Sequence, residues 1–228
     1  MSIGDGAREA VYYKAMTAPD DWAVRTEQQV LDEAIKLAPA KGWGRATTFA
    51  AARAAGLSAG DCELLLPNGA RDLAALLSRR HDAAALAALA ALPDPGGLKI
   101  RERIRTAVIA RLDAAAADRE ALRRWAGFLA LPTNLPLALR LVWETADGLW
   151  RWAGDTATDE NHYSKRAILS GILVQVMALD LQAGRADALE VLDTRIQNVM
   201  DFEKWKAGFK PSDLAKDFAG ALAKVRFG

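Results

Sequence analysis

Most of the side chains with the potential for chemistry lie in one segment, residues 150–167. Within it, Asp159 and His162 are three positions apart, a spacing that puts a carboxylate beside an imidazole on one face of a helix. Such a pair could act as a general base. No nucleophile accompanies it, and the sequence shows no nucleophile elbow, metal-ligand cluster or glycine-rich phosphate loop. We therefore predict no catalytic residue.

The same segment is predicted to join two helices. Gly154 suits a helix C-terminus, and Asp155 can accept hydrogen bonds from the amides of the following turn. Thr158 or Asp159 can cap the next helix. Two interpretations stay open. The polar and aromatic residues form an exposed recognition surface, or they form a well-capped helix start in which Asp155 or Asp159 pairs with Arg166.

The composition predicts an all-α fold. Of the 228 residues, 51% are apolar and about a fifth are alanine, the residue with the highest helix propensity. A chain of this length can bury a substantial core. The 30 basic and 29 acidic residues nearly cancel, leaving a formal net charge of +1. That balance is unlike the basic excess of domains that bind nucleic acid through its phosphates.

Cysteine and histidine are scarce in this chain. Cys62 is the single cysteine and only two histidines accompany it, so we expect neither a disulfide nor a zinc site, and no other metal. The sequence has no uninterrupted run of about 18 apolar residues, the length that would predict a membrane span. Residues 1–18 lack the apolar stretch of a signal peptide. We therefore expect a cytoplasmic protein.

Glycine and proline divide the chain into four predicted parts. Residues 1–25 are predicted to be a flexible arm and residues 26–92 a helical head. Residues 98–205 are predicted to form a helical body, and residues 211–228 a separate amphipathic helix.

Within the head, the first helix is predicted to begin near Thr26, as its cap, and to be ended by Pro39 and Gly42. Among the seven tryptophans, we expect Trp22, Trp43 and Trp125 to be ordinary core residues.

The predicted head has a specific layout. A long helix is followed by a short helix, a turn at residues 56–58, a second short helix and a fourth helix. This order resembles the helix-turn-helix head of TetR-type regulators, which implies a larger helical body with a ligand pocket and a dimer interface. The helix in the recognition position carries Asp61 and Glu63 and no basic residue, so it would bring negative charge to the DNA phosphates. We expect no DNA binding; a TetR-type ligand-responsive regulator is the alternative function.

Residues 150–167 also resemble a motif of the ubiquinone-biosynthesis accessory family named after the ninth Coq protein. The matching positions are Trp150, Ala153, Gly154, Asp155, Thr158, Asp159, Asn161, Tyr163, Ser164, Lys165, Arg166 and Ala167. Ala157 replaces an expected serine, and His162 stands where another aromatic residue, often tryptophan, is expected. A second motif of the family is matched upstream by Leu131, Pro132, Asn134 and Pro136. The resemblance covers roughly residues 26–227.

The resemblance implies a non-catalytic protein with a TetR-like fold that has lost DNA binding. Members bind lipids and isoprenoid quinone intermediates in the helical body. They present them to a partner, the di-iron hydroxylase that acts on demethoxyubiquinone. A homodimer is expected, and no cofactor other than the bound lipid. The implied partner-binding residues are Asp155, Asp159, Asn161, His162, Tyr163 and Arg166.

The long helix predicted over residues 159–183 is apolar nearly all round and must be buried on most sides. Direct packing against residues 137–152 would bury it, and so would packing around an apolar ligand or a second subunit. The TetR-like layout favours a ligand cavity. The predicted lipid-binding residues are Leu139, Trp143, Leu149, Trp152, Ile168, Leu169, Ile172, Leu173, Val176 and Met177.

The C-terminal segment is predicted to contact a membrane surface. Residues 211–228 form a narrow apolar stripe at helical spacing, preceded by lysines interleaved with aromatic residues. The alternative is a helix that docks on the bundle. The family resemblance favours reversible, peripheral contact on the inner face of the membrane. The predicted membrane-binding residues are Trp205, Phe209, Leu214, Phe218, Leu222 and Val225.

Overall fold

The computed structural model describes residues 21–92, 95–156 and 160–200. Over these ranges the fold is all-α, as the composition predicts, with no strand. The α-helices are α1 (Asp21–Lys41), α2 (Arg45–Ala54), α3 (Ala59–Leu65), α4 (Ala70–Ala90), α5 (Ile100–Ala115), α6 (Arg119–Leu129), α7 (Leu135–Trp152), α8 (Glu160–Gln182) and α9 (Arg185–Met200). Three short 3₁₀ turns occupy Pro95–Gly97, Ala116–Asp118 and Pro132–Asn134.

The predicted start of α1 at Thr26 was wrong; of the two residues predicted to end the helix, Gly42 is confirmed and Pro39 is not. The helix begins at Asp21, and the Thr26 hydroxyl donates a hydrogen bond to the Trp22 carbonyl at 2.7 Å, so Thr26 lies inside the helix. Pro39 also lies inside, and its carbonyl accepts a hydrogen bond from Arg124 at 3.1 Å. The chain leaves the helix at Gly42, whose φ of +72° is a conformation that glycine adopts without strain.

One part of the core lies between α1, α2, α4 and α6. The indole nitrogens of Trp43 and Trp125 donate to the carbonyls of Ala121 and Ala74, both at 3.0 Å. These two tryptophans are buried, as predicted. Trp22 is 51% exposed, so its assignment to the core was wrong. It precedes the buried stripe of α1, which starts at Thr26.

A second part of the core lies between α5, α7, α8 and α9. Here α8 is the central helix, because it packs against both α7 and α9 and contacts α5. Alanine and leucine dominate the contacts, which lets the helices approach closely. Direct helix packing therefore buries much of the apolar surface of α7 and α8.

The short helix α3 begins as predicted. Ser58 caps it, with the Asp61 amide donating to the Ser58 hydroxyl and the Asp61 carboxylate accepting from the Ser58 amide. Asp61 and Glu63 are exposed, and Glu63 lies 3.6 Å from Arg45. The surface of α3 thus carries the acidic residues that argue against DNA binding, and the TetR-like arrangement stays a prediction.

Within the described residues, no single helix is both long and apolar enough to cross a membrane. The segments Ile100–Leu129 and Pro132–Trp152 pass on length and composition only when taken together, and they are bent by 95°.

Asn134 joins three elements at the start of α7. Its side-chain amide donates to the Phe128 carbonyl of α6 at 2.9 Å, and its side-chain oxygen accepts from Arg71 of α4 at 2.8 Å. Arg71 also donates to the Thr133 carbonyl at 2.8 Å. Because Asn134 is buried, these bonds cannot be replaced by water. The asparagine of the second motif therefore has a structural role.

We predict that Asn134→Ala lowers the free energy of unfolding by about 2–3 kcal/mol, because it leaves a buried carbonyl and part of a guanidinium unpaired. Urea denaturation of the purified protein measures the change. Thr133→Ala is the matched control, since only the backbone carbonyl of Thr133 takes part in this network. Equal stability of the two variants would contradict the structural role.

Candidate functional site

The junction between α7 and α8 is built on a glycine turn. After Trp152, Gly154 adopts a φ of +90°, and a side chain added there would also come within 3.2 Å of the Arg103 guanidinium. The Asp155 amide donates back to the Trp150 carbonyl at 3.0 Å. This reversal matches the predicted helix end, and it turns the Asp155 side chain toward the start of α8.

The centre of the junction is a buried ion cluster. Arg166 of α8 donates through Nε to Asp147 at 2.6 Å and through Nη1 to Asp155 at 2.9 Å. Nη1 also donates to the His162 carbonyl at 3.1 Å. The side chains of Arg166 and Asp155 are only 2% and 4% exposed. A buried guanidinium satisfied by two carboxylates ties together α7, the following turn and α8.

For Asp155 and Arg166, this cluster decides between the two interpretations of residues 150–167. The pairing of Asp155 with Arg166 is the well-capped helix start. The expectation that these two side chains lie on an exposed partner-facing surface was wrong, because each is the other's buried counter-ion.

Lys165 and Trp150 close the cluster on its outer side. The Lys165 ammonium lies 2.6 Å from Asp155, and it sits over the Trp150 ring, 5.5 Å from the centroid. The Trp150 indole nitrogen donates to the Lys165 carbonyl at 3.0 Å. The C-terminal turn of α7 is thereby held against the first turns of α8 by a hydrogen bond and a cation–π contact.

The charges of the cluster stabilise each other. Burial alone would raise the pKa of Asp155, but hydrogen bonds from Lys165 and Arg166 outweigh it and hold that pKa below its ordinary value of 3.8. Burial opposes the charged form of Arg166 too, and hydrogen bonds to Asp147 and Asp155 raise its pKa all the same. The cluster therefore stays ionised at neutral pH.

Arg103 of α5 connects the junction to the segment before α5. Its guanidinium donates to the carbonyls of Ala153, Leu98 and Gly96, each at 3.0 Å. The motifs and spacings of the sequence did not identify Arg103 or Asp147. No local pattern could have identified them, since Arg103 binds a residue 50 positions away and Asp147 one 19 positions away.

Outside the buried cluster lies a group of three rings, which we name the aromatic patch: Trp143 and His162, which are half-buried, and Tyr163, which is exposed. Tyr163 is 64% exposed and stacks on Trp143, with centroids 6.3 Å apart and planes at 30°. His162 meets Tyr163 edge-on at 5.2 Å. The exposure predicted for Tyr163 is confirmed. Asp159 lies outside the described residues, and only the helical backbone of Asn161 is described.

The predicted lipid-binding residues do not share one environment. Leu139 is exposed and Trp143 belongs to the aromatic patch, so neither lies in the interior as expected. Trp152 is half-buried at the end of α7. Six others pack directly in the core: Leu149, Ile168, Leu169, Ile172, Leu173 and Val176.

Met177 differs from these residues because it borders an internal cavity of about 60 Å³. Val142, Thr145 and Val174 also border this cavity. The apolar periodicity of α7 and α8 did not predict the cavity, since it does not show how the helices are spaced.

The described residues bear only in part on two further predictions, the membrane-binding residues and the absence of a metal site. All six predicted membrane-binding residues, from Trp205 to Val225, lie outside the described residues. Among the residues that are described, no group of three or more histidine, cysteine or acidic side chains is arranged to hold a metal ion.

We predict that Asp155→Asn lowers the free energy of unfolding by about 1–3 kcal/mol near pH 7, because Arg166 loses one of two buried counter-ions and keeps Asp147. Since folding depresses the pKa of Asp155, its stabilisation is present above the pKa of the unfolded chain and is lost as the pH falls through the folded value. The difference between parent and variant should therefore shrink below about pH 4.

Urea denaturation from pH 7 to pH 3 measures this difference. Arg151→Gln is the control, because Arg151 pairs with Asp147 at 2.7 Å from an exposed position. This substitution should lower the free energy of unfolding by less than about 1 kcal/mol. A deficit in Asp155→Asn that is constant across this pH range would show that the charge of Asp155 is not what stabilises the junction.

Comparison with known proteins shows which family and which proteins this chain is similar to. Residues 135–203 match the COQ9 family model, so the match starts with α7 and includes α8 and α9. The rat protein named Ubiquinone biosynthesis protein COQ9, mitochondrial, is 28% identical over 183 residues, covering 77% of this chain and 59% of the rat protein. COQ9-B of Xenopus laevis is 29% identical over 188 residues, covering 76% of this chain and 62% of its own.

The human Ubiquinone biosynthesis protein COQ9, mitochondrial, is 26% identical over 183 residues, covering 77% of this chain and 58% of the human protein. The matched region thus spans about three fifths of the length of these curated relatives. Both buried partners of Arg166 and the whole aromatic patch fall inside residues 135–203. These findings confirm the resemblance to the COQ9 family: residues 135–203 match its family model, and the chain is similar to these COQ9 proteins at 26–29% identity.

Proposed function

We propose that this protein acts in ubiquinone biosynthesis as a non-catalytic accessory protein. In this proposal it binds a lipid or isoprenoid quinone precursor and presents it to the di-iron demethoxyubiquinone hydroxylase. The similarity to relatives named as ubiquinone biosynthesis proteins supports the pathway. The single observation that carries the partner role is the aromatic patch, in which the exposed Tyr163 is stacked on the half-buried Trp143 above an ion-paired support, within the residues that match the family model.

The aromatic patch has the physical properties of a binding hot spot. Exposed tyrosine and tryptophan offer large contact areas and lose little side-chain entropy on binding. Tyr163 is already stacked on Trp143, and its backbone lies in the helical turn that Arg166 holds through the His162 carbonyl. Pre-organisation of this kind lowers the entropic cost of association. Leu139, one turn before Trp143 on α7, extends the exposed apolar area.

The lipid part of the proposal requires the helical body to adapt. A cavity of about 60 Å³ is smaller than a long prenyl chain, while α7 and α8 provide extensive apolar surface around it. An apolar tail would be accommodated by separation of these helices, with Leu149, Ile172 and Val176 as candidate contacts. We also propose that the protein is a homodimer and peripheral to the inner face of a membrane, through residues 211–228.

The alternative of a TetR-type regulator receives no specific support. The exposed residues of α3 include Asp61 and Glu63, and no basic residue lies in this helix. Phosphate contacts by this surface would be repulsive.

We predict that Tyr163→Ala weakens binding to the hydroxylase at least tenfold, which corresponds to about 1.4 kcal/mol. Because Tyr163 is exposed, the free energy of unfolding should change by no more than about 0.5 kcal/mol. Surface plasmon resonance with the purified hydroxylase measures the affinity, and mass spectrometry of extracts measures the co-purified lipid, which should be unchanged.

Leu64→Ala is the matched control for Tyr163→Ala, since Leu64 is 84% exposed but lies on α3. It should bind the hydroxylase like the parent protein. If Tyr163→Ala also binds like the parent, the aromatic patch is not the docking surface. If both variants lose affinity equally, the effect is not specific to the patch.

We further predict that removal of residues 211–228 reduces co-flotation of the protein with anionic liposomes at least fivefold. The apolar stripe and the lysines of this segment supply the interfacial and electrostatic attraction. Helical content measured by circular dichroism controls for folding. Full co-flotation of the truncated protein would exclude this segment as the membrane contact.

A further inference from the structure

Exposed apolar side chains are gathered where α4 is connected to α5. Eight large apolar residues are exposed in the described part of the chain, and three of them, Leu92, Leu98 and Ile100, fall within nine positions at 44–47% exposure. The other five are spread over α1, α3, α7 and α8. We name Leu92, Leu98, Lys99, Ile100 and Arg101 the α4–α5 patch. Apolar residues gathered at one place on a surface, unlike single scattered ones, indicate an interaction site.

The α4–α5 patch also carries positive charge. Lys99 is exposed and Arg101 is half-buried, and within the described ranges neither has an ion-pair partner. The carboxylate next to them, Glu102, accepts a hydrogen bond from the Lys99 backbone amide at 3.0 Å and so caps the start of α5. Two cations beside three aliphatic side chains are therefore available to a negatively charged partner.

Arg103 holds the α4–α5 patch to the α7–α8 junction. Its guanidinium donates to the carbonyls of Gly96 and Leu98 in the α4–α5 connection and to the carbonyl of Ala153 after α7, each at 3.0 Å. The backbone of the patch therefore has a fixed position next to the end of α7, and the two lie at the same end of the bundle.

The chain that follows α9 leaves the body at this end as well. Near the start of α5, Arg105 pairs with Asp193 at 2.5 Å. Eight residues later in α5, Asp113 pairs with Arg185, which lies eight residues before Asp193 in α9, also at 2.5 Å. The two helices are therefore antiparallel, and the same register places Met200, the last residue of α9, beside the start of α5. The segment with the predicted membrane-binding residues, which follows Met200, thus begins next to the α4–α5 patch.

Charge and side-chain type indicate a membrane surface as the partner of the patch. Residues 95–105 carry four basic residues and one acidic, and residues 201–228 carry six basic and four acidic. Two surfaces of the same sign repel, which disfavours the C-terminal segment as a cover for the patch. Protein interfaces are enriched in aromatic residues and depleted in lysine, whereas this patch consists of leucine, isoleucine, lysine and arginine. Aliphatic side chains beside basic ones suit the boundary between acyl chains and anionic headgroups.

We infer that the α4–α5 patch is a second membrane contact of this protein, separate from residues 211–228. Its three aliphatic side chains enter the apolar side of the interface, while its two cations bind anionic headgroups. The inference rests on the peripheral membrane association of the proposed function and adds to it the end of the bundle that faces the lipid. Two contacts at one end strengthen each other, because binding through the first raises the effective concentration of the second. The α7–α8 junction is then held close to the bilayer surface.

A fluorescent label tests the contact directly. Leu98→Cys in the full chain is labelled with an environment-sensitive nitrobenzoxadiazole dye, since the native Cys62 is buried. Vesicles of phosphatidylcholine with about a third phosphatidylglycerol provide the anionic surface. We expect the emission to rise at least about twofold and to be quenched by nitroxides on the acyl chains. Leu64→Cys, at an 84% exposed position on α3, is the matched control and should show neither change.

Paired substitutions measure the apolar contribution of the patch. Leu98→Gln with Ile100→Gln should reduce co-flotation with these vesicles at least about fivefold. Val24→Gln with Leu64→Gln is the matched control, because it removes two exposed aliphatic side chains from α1 and α3. The control should bind the vesicles like the parent protein, and circular dichroism confirms that both variants keep their helical content.

A second pair of variants measures the contribution of charge. Lys99→Gln with Arg101→Gln should reduce co-flotation with the anionic vesicles at least about threefold and leave binding to pure phosphatidylcholine vesicles unchanged. Arg45→Gln with Arg53→Gln removes the same charge from exposed positions of α2. This control should bind the anionic vesicles like the parent protein, because a charge far from the contact is screened by salt.

Four results would overturn the inference. The first is a Leu98 label that does not respond in a full chain that floats with the vesicles, and the second is equal binding by the Leu98 and Ile100 variant and its control. The third is a label that is shielded without vesicles until residues 211–228 are removed, since the patch then binds that segment. The fourth is normal flotation of the Leu98 and Ile100 variant with loss of affinity for the hydroxylase, which would assign the patch to a protein partner.

The same measurements separate this inference from the proposed function. A silent Leu98 label, together with loss of flotation when residues 211–228 are removed, overturns the inference and leaves the proposed function intact. A responsive label, together with full flotation after that removal, excludes residues 211–228 as the membrane contact and supports the inference. A parent protein that does not bind vesicles would overturn both.

Discussion

The guanidinium of Arg166 is the interaction on which the rest of the site depends. A cation removed from water is tolerated only when carboxylates and carbonyls surround it, and here Asp147 and Asp155 do so from two different segments. The same guanidinium binds the His162 carbonyl. The first turns of α8 therefore cannot rotate relative to α7 without exposing or unpairing a buried charge. The aromatic patch is held in place by the same interaction, because His162 and Tyr163 lie in the helical turn that Arg166 binds.

Buried arginines have a special role in a bundle made largely of alanine and leucine. Such helices can approach closely, but small, similar side chains discriminate weakly between one rotation or register and the next. The pairs Arg166–Asp155 and Arg111–Asp82 discriminate strongly, since a misplaced charge has no partner. Asn134 does the same at the start of α7 with neutral hydrogen bonds. The polar interior thus sets the geometry that the apolar interior stabilises.

The two Arg–Asp pairs differ in what they leave for function. At the α7–α8 junction every described contact of Arg166 is within the protein, so the chemistry available to a partner is that of the rings outside it. At Arg111 one buried donor has no partner among the described residues.

Local sequence rules were sufficient for the features that depend on neighbours in the chain. They predicted the helical class, the Ser58 cap, the turn at Gly154 and the COQ9 resemblance, because helix propensity, capping and motifs act over a few residues. They did not predict that Asp155 and Arg166 are buried, that Trp22, Leu139 and Trp143 are outside the core, or that Arg111 lines a cavity. Those properties depend on the rotation of each helix and on charges 11 to 29 residues apart. Only the packing of the whole chain determines which groups lose contact with water, and hence which charges must pair.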